Sequence, residues 1–284
     1  MAKVFVVTDS TADIPKELQL NLGITVVPLK VHIQDETYLD GETITPLEFY
    51  QKLEKVDHLP TTSQPSPLDF VQTYKKLAID KDDKIISIHL SSALSGTVQS
   101  ALLAKEMVKE EGIEVSVFDT KKASYSIGII VVGIAEAIKQ GKTFDELISI
   151  TNDLINKTQV YFMVDTLTYL QKGGRIGKAA SLFGSLLNIK PILTLNENGE
   201  VYPVDKIRGT NKALQKVIQL FEQFAGDTPV RLGISHAVNE SQSLKLAEML
   251  KEKLNVKDFV LTEIGPVIGT HVGPGTIAVM VTKE

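Results

Sequence analysis

Apolar and polar positions alternate in two rhythms along the chain. Val4-Phe5-Val6-Val7-Thr8, Ile85-Ile86-Ser87-Ile88-His89-Leu90 and Glu114-Val115-Ser116-Val117-Phe118-Asp119-Thr120 are short, β-branched-rich runs that predict buried or half-buried strands. Ile24 to Ile33 reads as a further strand, broken or pushed to an edge by Pro28, which cannot donate to a ladder. Between these runs the spacing lengthens to three and four residues. It predicts helices from about Ile14, from Thr45 to about Lys55, from Leu68 to Leu77, and along Val98, Ala101, Leu102, Met107 and Val108. Further helices are predicted from Ser124 to Lys139 and from Thr143 to Ile155, the last opened by Thr143 and Glu146 at capping-box spacing. Strands alternating with helices of this length imply a mostly parallel sheet with right-handed crossovers, whose ligands bind beyond the C-terminal strand ends. Asp9, Ser92, Ser95 and Asp119 fall at that edge.

The second half follows another grammar. Val160 to Val164 predicts a strand, Leu170 to Gly177 a loop, and the residues through Leu187 a helix. Ile189 to Leu195 and Glu200 to Val204 flank Asn196-Glu197-Asn198-Gly199 and predict an antiparallel hairpin. Helices near Asn211 to Phe224 and Ser241 to Leu254 alternate with strands at Arg231 to His236 and Phe259 to Glu263. A last strand, Thr276 to Thr282, follows a glycine-rich segment. The fold class expected is therefore α/β, in two parts: an N-terminal mostly parallel α/β sheet domain over residues 1–160 and a C-terminal α+β domain over 161–284, with helices on one face.

Composition narrows the function. The chain of 284 residues is 43% hydrophobic and 23% charged, ordinary for a globular protein with one large or two medium cores. A net charge of −5 argues against a surface built to neutralise nucleic-acid phosphates. With no cysteine, disulfides, thiolate nucleophiles and cysteine-based zinc sites are excluded. Five scattered histidines without a paired-His helix motif give poor support for a metal. The longest apolar run, Ile127 to Ile134, is far below the roughly 18 residues that span a bilayer. No secretory signal is visible, and a cytoplasmic location is expected.

Candidate chemistry gathers at Ser91-Ser92-Ala93-Leu94-Ser95-Gly96-Thr97. A tight turn between strand and helix aims backbone N–H groups and the positive helix end above the sheet, and Ser92, Ser95 and Thr97 add hydroxyls, which suits an anionic oxygen. Equally, Ser92 or Ser95 can serve as a helix cap. Leu59 to Pro67 holds three prolines and four hydroxyls and predicts a stiff extended loop that links elements or lines a site. His271, among glycines and a proline, reads as a rim histidine able to donate to an anion, or as a loop histidine in water. Arg175 and Arg208 lie in glycine-bearing loops where a guanidinium can reach a carboxylate or phosphate, or stay on the surface. A serine hydrolase is disfavoured because no Gly-x-Ser-x-Gly elbow surrounds Ser92 or Ser95 and no histidine has an orienting acid visible in the sequence. Gly173-Gly174-Arg175-Ile176-Gly177 and Gly269 to Gly275 match neither a P-loop nor a dinucleotide fingerprint.

Thr62-Ser63-Gln64-Pro65, Ser91 to Ala101 and Gly173-Gly174-Arg175-Ile176, in that order, resemble the DegV family of bacterial fatty-acid-binding proteins. Asp9 to Asp13, Val27-Pro28-Leu29, Leu187 to Leu193, Arg208-Gly209 and His271 to Gly275 extend the resemblance over essentially the whole chain. Tyr125-Ser126 departs from the pattern, where smaller or glycine-rich residues open the helix. The resemblance implies one long-chain fatty acid buried between the two domains, with no other cofactor and no metal. It implies a carboxylate held by Thr62 and Ser95 with His271 nearby, and Arg175 and Arg208 around the carboxyl end or facing a partner. Family members act as acyl carriers without catalysis of their own. A separate fatty acid kinase phosphorylates the bound carboxylate for phospholipid synthesis, and transient membrane contact fits that role. The competing expectation is a hydrolase or transferase that uses Ser95 on a small anionic substrate. Phe162, Leu186 and Ile268 are the residues expected along the tail.

Overall fold

The computed structural model describes residues 3–182 and 189–284. Its strands are β1 Val4–Asp9, β2 Thr25–Val27, β3 Lys30–Ile33, β4 Glu36–Leu39, β5 Thr61–Ser63, β6 Lys84–His89 and β7 Glu114–Asp119, then β8 Thr158–Met163, β9 Ile189–Leu195, β10 Val201–Arg208, β11 Val230–His236, β12 Val256–Glu263 and β13 Ile277–Lys283. Its helices are α1 Lys16–Leu22, α2 Pro46–Leu53, α3 Pro67–Leu77, α4 Thr97–Lys109, α5 Tyr125–Lys139, α6 Phe144–Lys157, α7 Thr168–Lys172, α8 Thr210–Ala225, α9 Glu240–Lys253 and α10 Pro266–Val272.

Three sheets organise the described residues. A parallel sheet runs β2-β1-β6-β7. A small antiparallel sheet runs β4-β3-β5. A mixed sheet runs β10-β9-β8-β13-β11-β12, with β11 and β12 parallel and its other pairs antiparallel. Pro28 splits the strand expected over Ile24 to Ile33: β2 joins the parallel sheet, while β3 turns away and pairs with β4 and β5. β5 lies inside the proline-bracketed segment that the sequence marks as loop. Only three residues long, it is too short to show a period.

The helix that joins the halves is α5. Eleven of its fifteen residues are buried, because Ile127 to Ile134 is apolar all round rather than on one stripe. It packs against β1 and β6 on one side and against β8, β11 and β13 on the other. The mixed sheet is therefore covered on both faces, by α8 and α9 on one and by α5 and α6 on the other, rather than on a single face as expected. One apolar cluster accordingly runs from Val6, Ile86 and Ile88 through α5 to Val160 and Met280. Burying each such Ile or Val contributes about 1.5–3 kcal/mol gross.

Local signals hold the ends. Thr143 and Glu146 form the expected capping box, as do Thr45 with Glu48 and Ser66 with Asp69, each of the latter two followed by proline in the first turn. At the hairpin, Asn196 Oδ1 accepts from the N–H groups of Asn198 and Glu200, and Gly199 takes a φ of +77°. The hairpin tip then docks on the first half, where Ser91 Oγ donates to the Gly199 carbonyl at 2.9 Å. A Cβ on Gly199 would lie 2.0 Å from Ser91 Oγ, so the contact requires glycine.

Candidate functional site: an apolar cavity with a polar end

The turn after β6 is fixed from several directions. Leu90 N–H donates to Asp9 Oδ2 at 3.2 Å, Ser91 N–H to the Lys122 carbonyl, and Leu94 and Ser95 N–H to the Ser91 carbonyl. Ser92 is drawn outward, its hydroxyl donating to Asp119 Oδ2 at 2.5 Å, and it is thereby removed from the site. Neither Ser92 nor Ser95 caps α4. Gly96 occupies the N-cap position without a side-chain bond, and the Gln64 side chain lies where a Cβ on Gly96 would be, 2.8 Å from its Nε2. Ser95 Oγ instead sits 2.9 Å from Thr97 Oγ1.

Beside this turn lies a narrow, largely apolar cavity. Leu29, Leu90 and Leu94 enter from the first half, and Val160, Phe162, Leu195 and Ala278 from the mixed sheet. Val267, Ile268 and Val272 of α10 close one wall. Phe162 and Ile268 thus line the cavity, while Leu186 and the segment around Leu187 lie outside the described residues. Thr62, Ser95, Arg175 and His271 also line it, brought together from β5, the β6–α4 turn, the loop after α7, and α10. Arg208 does not. It stands exposed at the end of the edge strand β10.

Thr62 Oγ1 and His271 Nε2 are 2.8 Å apart. Thr62 is carried there by pairing with Val31 on β3, and Ser63 Oγ bonds His32 Nε2 at 2.9 Å, which pins the short strand β5. His271 is not a loop residue as the glycines suggested. It occupies the last turn of α10, which Pro266 starts and Gly273 ends. Gly269 lets that helix press on α2, since a Cβ there would lie 2.6 Å from Tyr50 Oη. The imidazole rests on Gly173, where a Cβ would fall 2.3 Å from Nδ1, and Nδ1 is buried without a hydrogen-bond partner among the described residues. Burial and, second, the nearby Arg175 guanidinium push its pKa down to about 4. The ring is neutral at neutral pH.

Positive charge at this end therefore comes from Arg175. Its Nε donates to the Leu94 carbonyl at 3.0 Å and its Nη1 to the Gly173 carbonyl at 2.7 Å, so the guanidinium ties the Ser95 turn to the seat of His271. A neutral His271 that donates through Nε2 to Thr62 Oγ1 leaves the Thr62 hydroxyl to donate onward into the cavity. Two hydroxyls, an imidazole and a guanidinium at one end of an apolar cavity suit an acid with a long apolar body.

The departure at Tyr125 leaves the cavity untouched. Its ring is 1% exposed and fits between Gly128 and Gly233, whose Cβ positions would lie 2.5 and 2.6 Å from ring carbons. A histidine with an orienting acid does exist, hidden from the sequence: His89 Nδ1 is 2.9 Å from Asp9 Oδ2, and His89 Nε2 is 2.7 Å from Ser87 Oγ. All three side chains are fully buried, and Ser87 Oγ also bonds Tyr74 Oη at 2.8 Å, so the arrangement holds strand to strand. Ser95, in contrast, has Thr97 as its neighbour rather than a base. Among the described residues, no group of three or more His, Cys, Asp or Glu side chains is arranged to hold a metal ion.

Relatives share this whole architecture. A family model described as an uncharacterised protein of the DegV family matches residues 3–284. A DegV domain-containing protein of Streptomyces coelicolor is 38% identical over 282 residues, covering 99% of each chain. The solved structure of a DegV family protein from Thermus thermophilus, described by its fatty acid binding, has a TM-score of 0.92 and 38% identity, covering 99% of this chain and 100% of its own. DegV from Bacillus subtilis, described as a fatty acid binding protein, has a TM-score of 0.91 and 36% identity with both chains fully covered. The chain belongs to the DegV family.

Proposed function

We propose that this chain binds one long-chain fatty acid in the cavity between its halves and presents the carboxylate to a separate fatty acid kinase, which makes the acyl phosphate that phospholipid synthesis consumes. The observation that carries the reading is the polar cluster of Thr62, Ser95, Arg175 and His271 in a cavity otherwise lined mostly by leucine, isoleucine, valine, phenylalanine and alanine side chains, with Ser63, Gln64, Ser124 and Thr276 among them. Burying about a dozen methylenes at ~0.8 kcal/mol each gives on the order of 10 kcal/mol gross before ordering costs, so the tail dominates affinity. The polar end fixes orientation and keeps the carboxylate from being buried unpaired.

In this reading Thr62 and Ser95 donate to the carboxylate, Arg175 supplies the counter-charge, and His271 sets the direction of the Thr62 hydroxyl. The chain itself performs no chemistry. Arg208, exposed at the end of the edge strand, is available to a partner. None of the described helices is long and apolar enough to cross a membrane, and the carrier would work in the cytoplasm with transient contact at the bilayer for loading and release. The experiment is reconstitution: protein loaded with radiolabelled hexadecanoate is mixed with ATP and a bacterial fatty acid kinase catalytic subunit, and acyl phosphate is trapped with hydroxylamine. Label appearing as hydroxamate only when carrier and kinase are both present supports the reading. Equal yield without the carrier contradicts it.

A further inference from the structure

On the opposite side of α10 from its histidine, two buried carboxyl groups converge on the helix start. A Cβ on Gly265, the N-cap residue of α10, would lie 2.8 Å from Asp13 Oδ1, 3.3 Å from Asp40 Oδ1 and 3.8 Å from Asp40 Oδ2, so the two side chains meet at one point. Asp13 is 8% exposed and Asp40 3%. Asp13 is heavily engaged. Its Oδ1 accepts from Gly265 N–H at 3.0 Å, its Oδ2 from Ser124 Oγ at 2.5 Å, and its carbonyl from Thr262 Oγ1 at 2.8 Å. Asp40 Oδ2, by contrast, is buried without a hydrogen-bond partner among the described residues.

Two neighbouring carboxyl groups buried to this extent in the wall of a cleft, with no cation bonded to either among the described residues, need protons to neutralise them. The other charges that face the pair make this need greater. Asp9 lies at the end of β1 and Glu263 at the end of β12, and both Glu42 and Lys16 line the same cleft with Asp9 and Glu263. Tyr50 of α2, 5% exposed, donates to the Ile264 carbonyl at 3.0 Å, and His236 sits opposite Glu263 in the β11–β12 register. Only Lys16 is a fixed cation in this set.

The pair touches the cavity twice. Ser124, which lines the cavity, is held at a φ of +56° and bonded to Asp13 and, at 2.9 Å, to Ser235 Oγ. Gly265 begins the helix that carries Val267, Ile268 and, in its last turn, His271. We propose that Asp13 and Asp40 are both held protonated at the start of α10 and act as positioning residues: the neutral pair anchors that helix and thereby sets His271 against Thr62 at the head of the cavity. Loss of the Asp40 proton places a negative charge at the anchor and loosens the helix that aims His271. Burial, opposed by hydrogen bonds and reinforced by Asp9, raises the Asp40 pKa to about 7, and burial raises that of Asp13 well above the ordinary carboxylate range, so the proton released near neutrality is that of Asp40.

The test has one arm that needs no ligand and one that rests on the fatty-acid reading. In the first, the His271 imidazole resonances of unliganded, ¹⁵N-labelled protein are followed from about pH 6 to 9 in wild type, Asp40→Asn and Asp13→Asn, with circular dichroism to check folding. In the second, the Kd of 11-(dansylamino)undecanoic acid is measured over the same range. Wild type should show an inflection near pH 7 in the His271 shifts and binding about tenfold weaker at pH 8 than at pH 6. Asp40→Asn, which copies the neutral form, should lose both while keeping low-pH affinity within about twofold of wild type. An inflection that persists in Asp40→Asn, or none in wild type, overturns the proposal. If the dansyl probe fails to bind while the His271 inflection is present in wild type and absent in Asp40→Asn, the positioning role stands and the fatty-acid reading falls.

Discussion

Thr62 Oγ1 and His271 Nε2 lie 2.8 Å apart although 209 positions separate them in the chain, and the bond joins a three-residue strand of the first half to a helix of the second. It closes the head of the cavity and sets the direction of a hydroxyl there. Replacing Thr62 by valine keeps the shape and removes the hydrogen bond. Thr62→Val should weaken fatty-acid binding about tenfold, the loss of one buried hydrogen bond to a charged group. Thr62→Ala with Ser95→Ala should weaken it further while the melting temperature shifts by only a few degrees. Unchanged binding of labelled fatty acid by the double variant removes both hydroxyls from the head site.

Gly173 is the seat of His271. Its φ is −75°, which any residue adopts, so alanine there adds no φ strain; its Cβ would lie 2.3 Å from His271 Nδ1, displacing the ring, and 3.0 Å from the Tyr169 carbonyl. Gly173→Ala should lower affinity through loss of the Thr62–His271 bond, and Gly173→Ala combined with Thr62→Val should be hardly worse than either alone. That non-additivity, read from a double-mutant cycle, identifies one shared contact. Additive losses point to separate effects.

The neutrality of His271 has consequences in pH. Its folded pKa of about 4 lies below the ordinary 6.5, so its contribution to stability is present above about pH 6.5 and lost as pH falls toward 4. Asp40 acts in the opposite sense, since its folded value of about 7 lies above the ordinary 3.8 and its contribution is lost as pH rises from 4 to 7. The two slopes oppose each other in wild type. Urea unfolding should show stability rising more steeply with pH across this window in Asp40→Asn, and falling across it in His271→Asn. A bound carboxylate next to the ring should raise the His271 pKa in the loaded protein, which its imidazole carbon shifts report.

Asp9, His89, Ser87 and Tyr74 bear on the hydrolase alternative. Removing one member of a buried hydrogen-bonded pair strands its partner, so Asp9→Ala should cost about 1–3 kcal/mol of stability. Ser87→Ala and Ser95→Ala should leave any esterase background of the preparation unchanged. A background that disappears with Ser95→Ala alone points to acyl chemistry at this serine.

Much of the first half could be read from residues near one another. The Ile85 to Thr97 segment is strand, turn and helix as its change of period indicates, and Thr143 with Glu146 caps α6 as their spacing indicates. Pro28 marks the break between β2 and β3. The local pattern misses α10 because Gly265, Gly269, Gly273 and Gly275 look like breakers; Gly269 is there for close packing against Phe49 and Tyr50, which only the tertiary structure reveals. It also misses β5, too short for a period, and the pairing of Asp9 with His89 across 80 positions. Of the residues proposed for the head site, Thr62, Ser95, Arg175 and His271 line one cavity and Arg208 lies outside it. Asp13 and Asp40 carry no local sign of their convergence, since Asp13 reads as a possible cap of the first short helix and Asp40 directly precedes Gly41 in a turn signal.

The most direct measurement is of what the purified protein contains. Organic extraction under denaturing conditions, quantified by mass spectrometry against protein concentration, should yield close to one long-chain fatty acid per chain, and a variant with tryptophan in place of Val160 or Ala278 should yield far less. Protein that carries no acyl chain, and that takes up none when hexadecanoate is added in excess, would contradict the account.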